Sequence, residues 1–175
     1  MPASPHTAFP EPASTDDIRG LLLDYLDFFR GVVGAKLEGL SRGKLTGSVV
    51  PSGWTPAGLV LHLVNVERRW LEWGFLGEQI EEPWRDRAEG DGWLTPDRSV
   101  AELGAMLDEA GARTRSIVEA HELTEISRLT GRFRDADTAP QLHWILLHLL
   151  QEYARHAGHL DIARELVDGA TGEEG

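Results

Sequence analysis

At 175 residues the chain has the length of one domain, enough to bury a core without disulfides or a structural metal. Seventeen lysines and arginines against twenty-nine aspartates and glutamates leave a net charge of −12, which repels a nucleic-acid backbone and an anionic membrane surface, so neither is an expected partner. Cysteine is absent, which excludes disulfides, thiolate zinc sites and a cysteine nucleophile, and any thiol chemistry would have to import its thiol.

Residues 1–13, "MPASPHTAFPEPA", are rich in Pro and small residues and read as a flexible extension. They lack a basic start followed by an apolar run, and no window reaches the roughly 18 apolar residues of a membrane span, so a cytoplasmic location is expected. Residues 14–169 read as the folded unit. Ser14 or Thr15 would cap the first helix, with Asp16 and Asp17 facing its positive end. Its apolar stripe is Ile18, Leu21, Leu22, Tyr25, Leu26, Phe29, Val32, Val33 and Leu37. The stretch "GWTPAG" announces a second helix, with Thr55 as cap and Pro56 at the first helical position, running to about Gly77. A third starts near "TPDRSVAEL" and continues to about Ala120, its regularity in question because of Gly104 and Gly111. A fourth opens near "DTAPQLHW" and runs to Asp168, where Gly169 offers a stop. Residues 170–175 read as a flexible tail. No segment alternates like a strand, so the expected fold is all-α, a four-helix bundle. Its long connections would act as crossovers or cover one end.

The fourth helix mixes leucines with titratable groups. His148, Glu152 and His156 are spaced four apart and form one ridge, so a carboxylate and an imidazole one turn apart can clamp the same ion. Zinc and its relatives accept both donor types, and a catalytic site takes three protein ligands and leaves a position open. His62, set among Leu59, Val60, Leu61, Leu63 and Val64 in the second helix, is the candidate third ligand. On spacing alone, an ordinary ion pair between Glu152 and His156 and a core histidine at 62 satisfied by a carbonyl account for these residues equally well. Trp70, Trp73 and Trp144 read as packing residues, whereas Trp54, Trp84 and Trp93 lie in loops and suggest a pocket rim.

The segments "TPAGLVLHLVNVERRW" and "HWILLHLLQEYARHAGHLDIAREL" resemble the DinB-like (YfiT-like) superfamily, in the branch related to mycothiol-dependent transferases and maleylpyruvate isomerase. In that family one histidine of the second helix and a pair four apart on the last helix bind a divalent metal, usually zinc or nickel. The pair is commonly His-x-x-x-His followed by x-Gly-Gln. Here the register places Glu152 and His156 at the pair, Gly158 at the glycine and His159 at the glutamine. The resemblance therefore implies His62, Glu152 and His156 as metal ligands. His148 and His159 would support the ligands or touch substrate, and Asn65 and Arg155 would contact polar groups of a thiol. The implied activity is that of a metal-dependent S-transferase or isomerase, activating a low-molecular-weight thiol such as mycothiol against a small electrophile. A non-catalytic metal- or ligand-binding stress protein and a purely structural homodimer are the competing readings. Dimerisation through helix faces is common among such proteins.

Overall fold

The computed structural model describes residues 16–88 and 92–171. Five α-helices follow one another: α1 (Ile18–Ala35), α2 (Arg42–Thr46), α3 (Pro56–Arg68), α4 (Val100–Ala120) and α5 (Leu142–Asp168). α3 continues without a break into a π-helical segment, Arg69–Phe75. Among the described residues there is no strand, only isolated bridges between Arg87 and Trp93 and between Ile126 and Gln141.

The helix ends follow from local chemistry. Thr55 Oγ1 accepts from Gly58 N, and Pro56 stands where no backbone donor is needed. Ser99 and Glu102 form a reciprocal capping box at the start of α4. Gly169, at φ 75°, ends α5. The expected caps Ser14 and Thr15 lie outside the described residues; the side chain of Asp17 makes the cap of α1, accepting from Gly20 N. α2 was not anticipated from the sequence: it is a five-residue turn in the first connection, too short to carry an apolar period.

α1 packs on α4 and α5, and α3 packs on the same two helices, so the main contacts close a ring in the order α1, α4, α3, α5. The connections from α1 to α3 and from α4 to α5 therefore cross the ring, whereas residues 76–99, the longest connection, join the neighbours α3 and α4. The core is aliphatic: Leu26, Val33, Leu59, Val60, Leu63, Leu103, Ile145, Leu146 and Leu149 are fully buried. Truncating one of these leucines to alanine would cost about 2–5 kcal/mol.

The buried face of α1 differs from the expected stripe. Ile18 is exposed, while Leu23 and Arg30 are buried, because the helix turns the line Leu22, Leu26, Arg30, Val33 inward to bring a guanidinium to a buried acid. That acid is Glu67 of α3. Its Oε1 accepts from Arg30 Nε at 3.0 Å and from the Tyr153 hydroxyl, and its Oε2 accepts from Arg30 Nη2 at 2.7 Å and from the Thr114 hydroxyl. One carboxylate thus ties α1, α3, α4 and α5 together. Burial and the neighbouring Glu67 push the Tyr153 hydroxyl pKa far above its ordinary value, keeping it a donor. α4 is regular despite its glycines. Gly111 makes room for Arg30, whose side chain would lie 3.3 Å from an added Cβ.

Candidate metal centre

α3 and α5 face each other across one edge of the ring and bring His62, Glu152 and His156 together: one donor atom from each lies within 4.8 Å of the others. Glu152 Oε2 is 3.3 Å from His156 Nε2 and 3.9 Å from His62 Nε2. Ligands around a tetrahedral ion with bonds of about 2.0–2.1 Å stand about 3.3 Å apart, so small side-chain adjustments would suit the set to a cation. The neutral imidazole and carboxylate donors are those that zinc and its first-row neighbours accept.

Each histidine is held by its other nitrogen. His62 Nδ1 is 3.0 Å from Asp86 Oδ2, and because a carboxylate only accepts, Nδ1 carries a proton; Nε2 faces Glu152, donating to it when the ring is protonated and offering a lone pair to a cation when it is neutral. Trp93 stacks on the same ring, with centroids 4.2 Å apart and planes 7° from parallel, and meets His156 edge-on at 5.3 Å. His156 Nδ1 lies 3.1 Å from His159 Nδ1, and its Nε2 faces Glu152, donating when it carries a proton and open to a cation when it does not.

The electrostatics follow from these contacts. Burial disfavours the charged form of His62, but its hydrogen bonds to Asp86 and Glu152 prevail and raise its pKa. The hydrogen bond from His156, then that from His62, holds Glu152 far below the usual carboxylate range, so it is ionised. Asp86 is buried, which alone would raise its pKa; hydrogen bonds from His62 and Arg69 bring it below normal. His148 Nε2 lies 3.7 Å from Glu152 Oε1, with its ring flanked by Trp70 at 4.5 Å and Trp144 at 5.6 Å. Burial and the nearby Arg132 lower its pKa against the pull of Glu152.

The remaining candidates fall in different places. His159 is half-buried beside Trp54, at 5.9 Å, and burial together with His156 lowers its pKa. Asn65 is buried, its amide donating to Leu61 O at 2.8 Å and its carbonyl accepting from Arg85 Nε at 2.9 Å. Arg155 is exposed on α5. Trp54 and Trp93 stand against imidazoles, whereas Trp84 stacks on Arg69 and Arg87. Trp70 and Trp144 do more than close a helix end, since they form an aromatic triad with His148, their own centroids 5.4 Å apart. Sequence reasoning missed Asp86: it sits in a loop with no periodic signal, 24 residues along the chain from His62, and only the folded loop brings its carboxylate to the imidazole. A groove of about 670 Å³ between α1 and α4, lined by Gly31, Gly34, Gly104 and Gly111, lies on the opposite edge of the ring.

A crystal structure of a DinB-like protein from Bacillus cereus ATCC 10987 superposes with a TM-score of 0.59 at 16% identity, covering 86% of this chain and 92% of that one. That likeness establishes the DinB-like fold. No curated protein matches the chain in sequence. Residues 21–169, which span every helix that builds the His62–Glu152–His156 cluster, match the mycothiol-S-transferase family, and the chain belongs to that family.

Proposed function

We propose that the protein is a metal-dependent S-transferase that joins a low-molecular-weight thiol, such as mycothiol, to a small electrophile. The observation that carries this reading is the convergence of His62 Nε2, His156 Nε2 and Glu152 Oε2, with Asp86 fixing the proton of His62 on the far nitrogen. His62, Glu152 and His156 would hold a divalent cation, zinc or nickel by donor type. Such a cation would supply the Lewis acidity that keeps a thiol as thiolate at neutral pH.

The chain's own groups do the rest. Three ligands on two packed helices fix the sulfur's position relative to the electrophile, which is the main contribution of positioning to such a reaction. Trp93 covers both imidazoles and keeps water off their faces. His148 Nε2, 3.7 Å from Glu152 Oε1, is placed to take the proton that the thiol releases. The sulfur electron pair would then form the bond to the electrophilic carbon as the bond from that carbon to its leaving group breaks, the leaving group departing with the bonding pair. This reading places the protein in the cytoplasm with its thiol; no helix among the described residues is long and apolar enough to cross a membrane.

The test is metal analysis of the purified protein followed by conjugation assays with a panel of thiols and a fluorogenic alkylating reagent. We expect about one zinc per chain, lost in His62→Ala, and conjugate formation that disappears with the metal. Full zinc occupancy with no conjugate above the metal-free background for any thiol would reduce the protein to a metal-binding role.

A further inference from the structure

Shielded arginines among the described residues are matched to acids or, for Arg68, to the Glu81 carbonyl, although Arg68 Nη1 is itself buried without a partner. Arg30 is held by Glu67 and Asp27, Arg69 by Asp86 and Arg164 by Asp168. Arg132 is not. Its guanidinium lies over Trp70, with Cζ 3.9 Å from the ring centroid, and Trp84 and Phe133 each stand 6.0 Å away. Among the described residues no carboxylate or carbonyl meets its side-chain nitrogens. Burial and the like charge of Arg69 lower its pKa, and no acid offsets them.

The loop carrying Arg132 is fixed. Arg132 N donates to Trp73 O at 3.0 Å, Arg128 N to Phe75 O at 3.0 Å, and the Thr130 hydroxyl to Gly77 O at 2.9 Å. Gly131 lies so close to Trp73 O that an added Cβ would sit 1.9 Å from it, and Gly77, at φ 66°, would bring its own Cβ into Thr130. The π-helical segment supplies these acceptors, because its wider turns leave the carbonyls of Trp73 and Phe75 free for the loop.

Two runs of contacts connect Arg132 to the candidate metal centre. One passes from Arg132 to Trp70, to His148 at 4.5 Å and on to Glu152 at 3.7 Å. The other passes from Arg132 to Trp84, to Arg69 at 4.5 Å, to Asp86 and on to His62 at 3.0 Å. Arg132 therefore stands at the far end of two contact runs that begin at Glu152 and at His62, with the Trp70 and Trp84 rings between. A guanidinium whose face is stacked on an indole presents its N–H edge, and that edge matches a planar oxyanion in two-point contact. A single such edge, without a nest of backbone N–H groups, suits a carboxylate better than a phosphate dianion.

We propose that Arg132 forms an anion subsite that receives the carboxylate of a small substrate whose reacting atom lies at the His62–Glu152–His156 centre. The inference rests on the reading of that centre as the place of reaction. It predicts that acids are preferred over their neutral counterparts, the tryptophan floor adding apolar contact to the rest of the molecule.

The test is a tryptophan-fluorescence titration of the zinc-loaded full chain with benzoate and with benzamide, for wild type, Arg132→Gln and Arg132→Lys. Benzoate should bind saturably, at least about tenfold tighter than benzamide, and Arg132→Gln should remove that preference while Arg132→Lys keeps part of it. Equal binding of both probes, or a benzoate preference unchanged in Arg132→Gln, overturns the subsite; the latter result also marks benzoate bound directly to metal. Zinc content measured on the same samples separates the two readings. Wild-type zinc without a benzoate preference sinks the subsite and leaves the centre standing, whereas a chain that holds no zinc sinks the centre and still lets the titration decide on Arg132. Paired electrophiles, an acid and its methyl ester, then assign the carboxylate. An acid-to-ester rate ratio that falls about tenfold in Arg132→Gln gives it to the electrophile, and an unchanged ratio with benzoate binding lost gives it to the thiol.

Discussion

Two carboxylates on facing helices, Glu67 of α3 and Glu152 of α5, show how similar residues are put to opposite uses. Glu67 is buried, and its two oxygens accept from four donors supplied by Arg30, Thr114 and Tyr153. Nothing is left over, and no group can approach. Glu152 is partly open; its oxygens meet only imidazole nitrogens, at 3.3, 3.7 and 3.9 Å. The first arrangement is complete without a ligand. The second gathers imidazoles around one carboxylate, held by protons that a shared cation would displace. The contrast teaches that satisfaction, more than burial, separates a structural charge from a working one in this bundle.

The largest effect should come from breaking the complete network. Glu67→Ala leaves Arg30 buried with only Asp27 beside it, and we expect a loss of about 3–5 kcal/mol in urea unfolding. Tyr153→Phe, which removes one donor, should cost about 1 kcal/mol. A Glu67→Ala protein as stable as wild type would mean that the four-helix tie is idle.

On the other side of the comparison, Asp86→Asn takes the charge partner from buried Arg69 but leaves an amide oxygen to accept from it, and should cost about 1–3 kcal/mol, less than Glu67→Ala. It should weaken zinc binding by about 10–100-fold, measured by chelator competition, because the proton on His62 Nδ1 loses its charged acceptor. Unaltered zinc affinity would reclassify Asp86 as a member of the static set.

The smallest effect belongs to an exposed charge. Hydrogen bonds from the Ser99 backbone, Arg98 and the Ser99 hydroxyl lower the Glu102 pKa from 4.5 to about 2. A depressed folded-state pKa contributes stability above the unfolded value and loses it as pH falls through the folded one. Glu102→Gln should therefore melt slightly below wild type at neutral pH, with the gap closing between about pH 4.5 and pH 2. A gap that persists at pH 2 would assign the effect to side-chain shape instead of charge.

Much of this was readable in the chain before its structure. Thr55–Pro56 and Gly169 mark helix ends by local chemistry alone, and helical periodicity yields the four long helices. The spacing of Glu152 and His156 puts them on one face because the helix is regular there, and His62 stands out among aliphatic neighbours. Whatever depends on distant pairing was hidden. Asp86 and Arg132 lie in connections without period, positioned by hydrogen bonds to remote backbone such as Leu94 N to Asp86 O and Arg132 N to Trp73 O, whereas Trp93 was legible only as a loop aromatic. Arg30 was not singled out, because the acid it meets is 37 residues away. The π-helical segment likewise left no mark in the residue pattern.

The ring order of the helices has a consequence for how the protein is made. His62 and Asp86 precede α4, while Glu152 and His156 belong to α5, the last described helix. A nascent polypeptide emerging from the ribosome cannot gather the His62–Glu152–His156 cluster until α5 has docked, and contacts this far apart in sequence form late. Metal binding at the proposed centre would thereby wait for α5, and a product truncated before it would carry His62 without the other two donors.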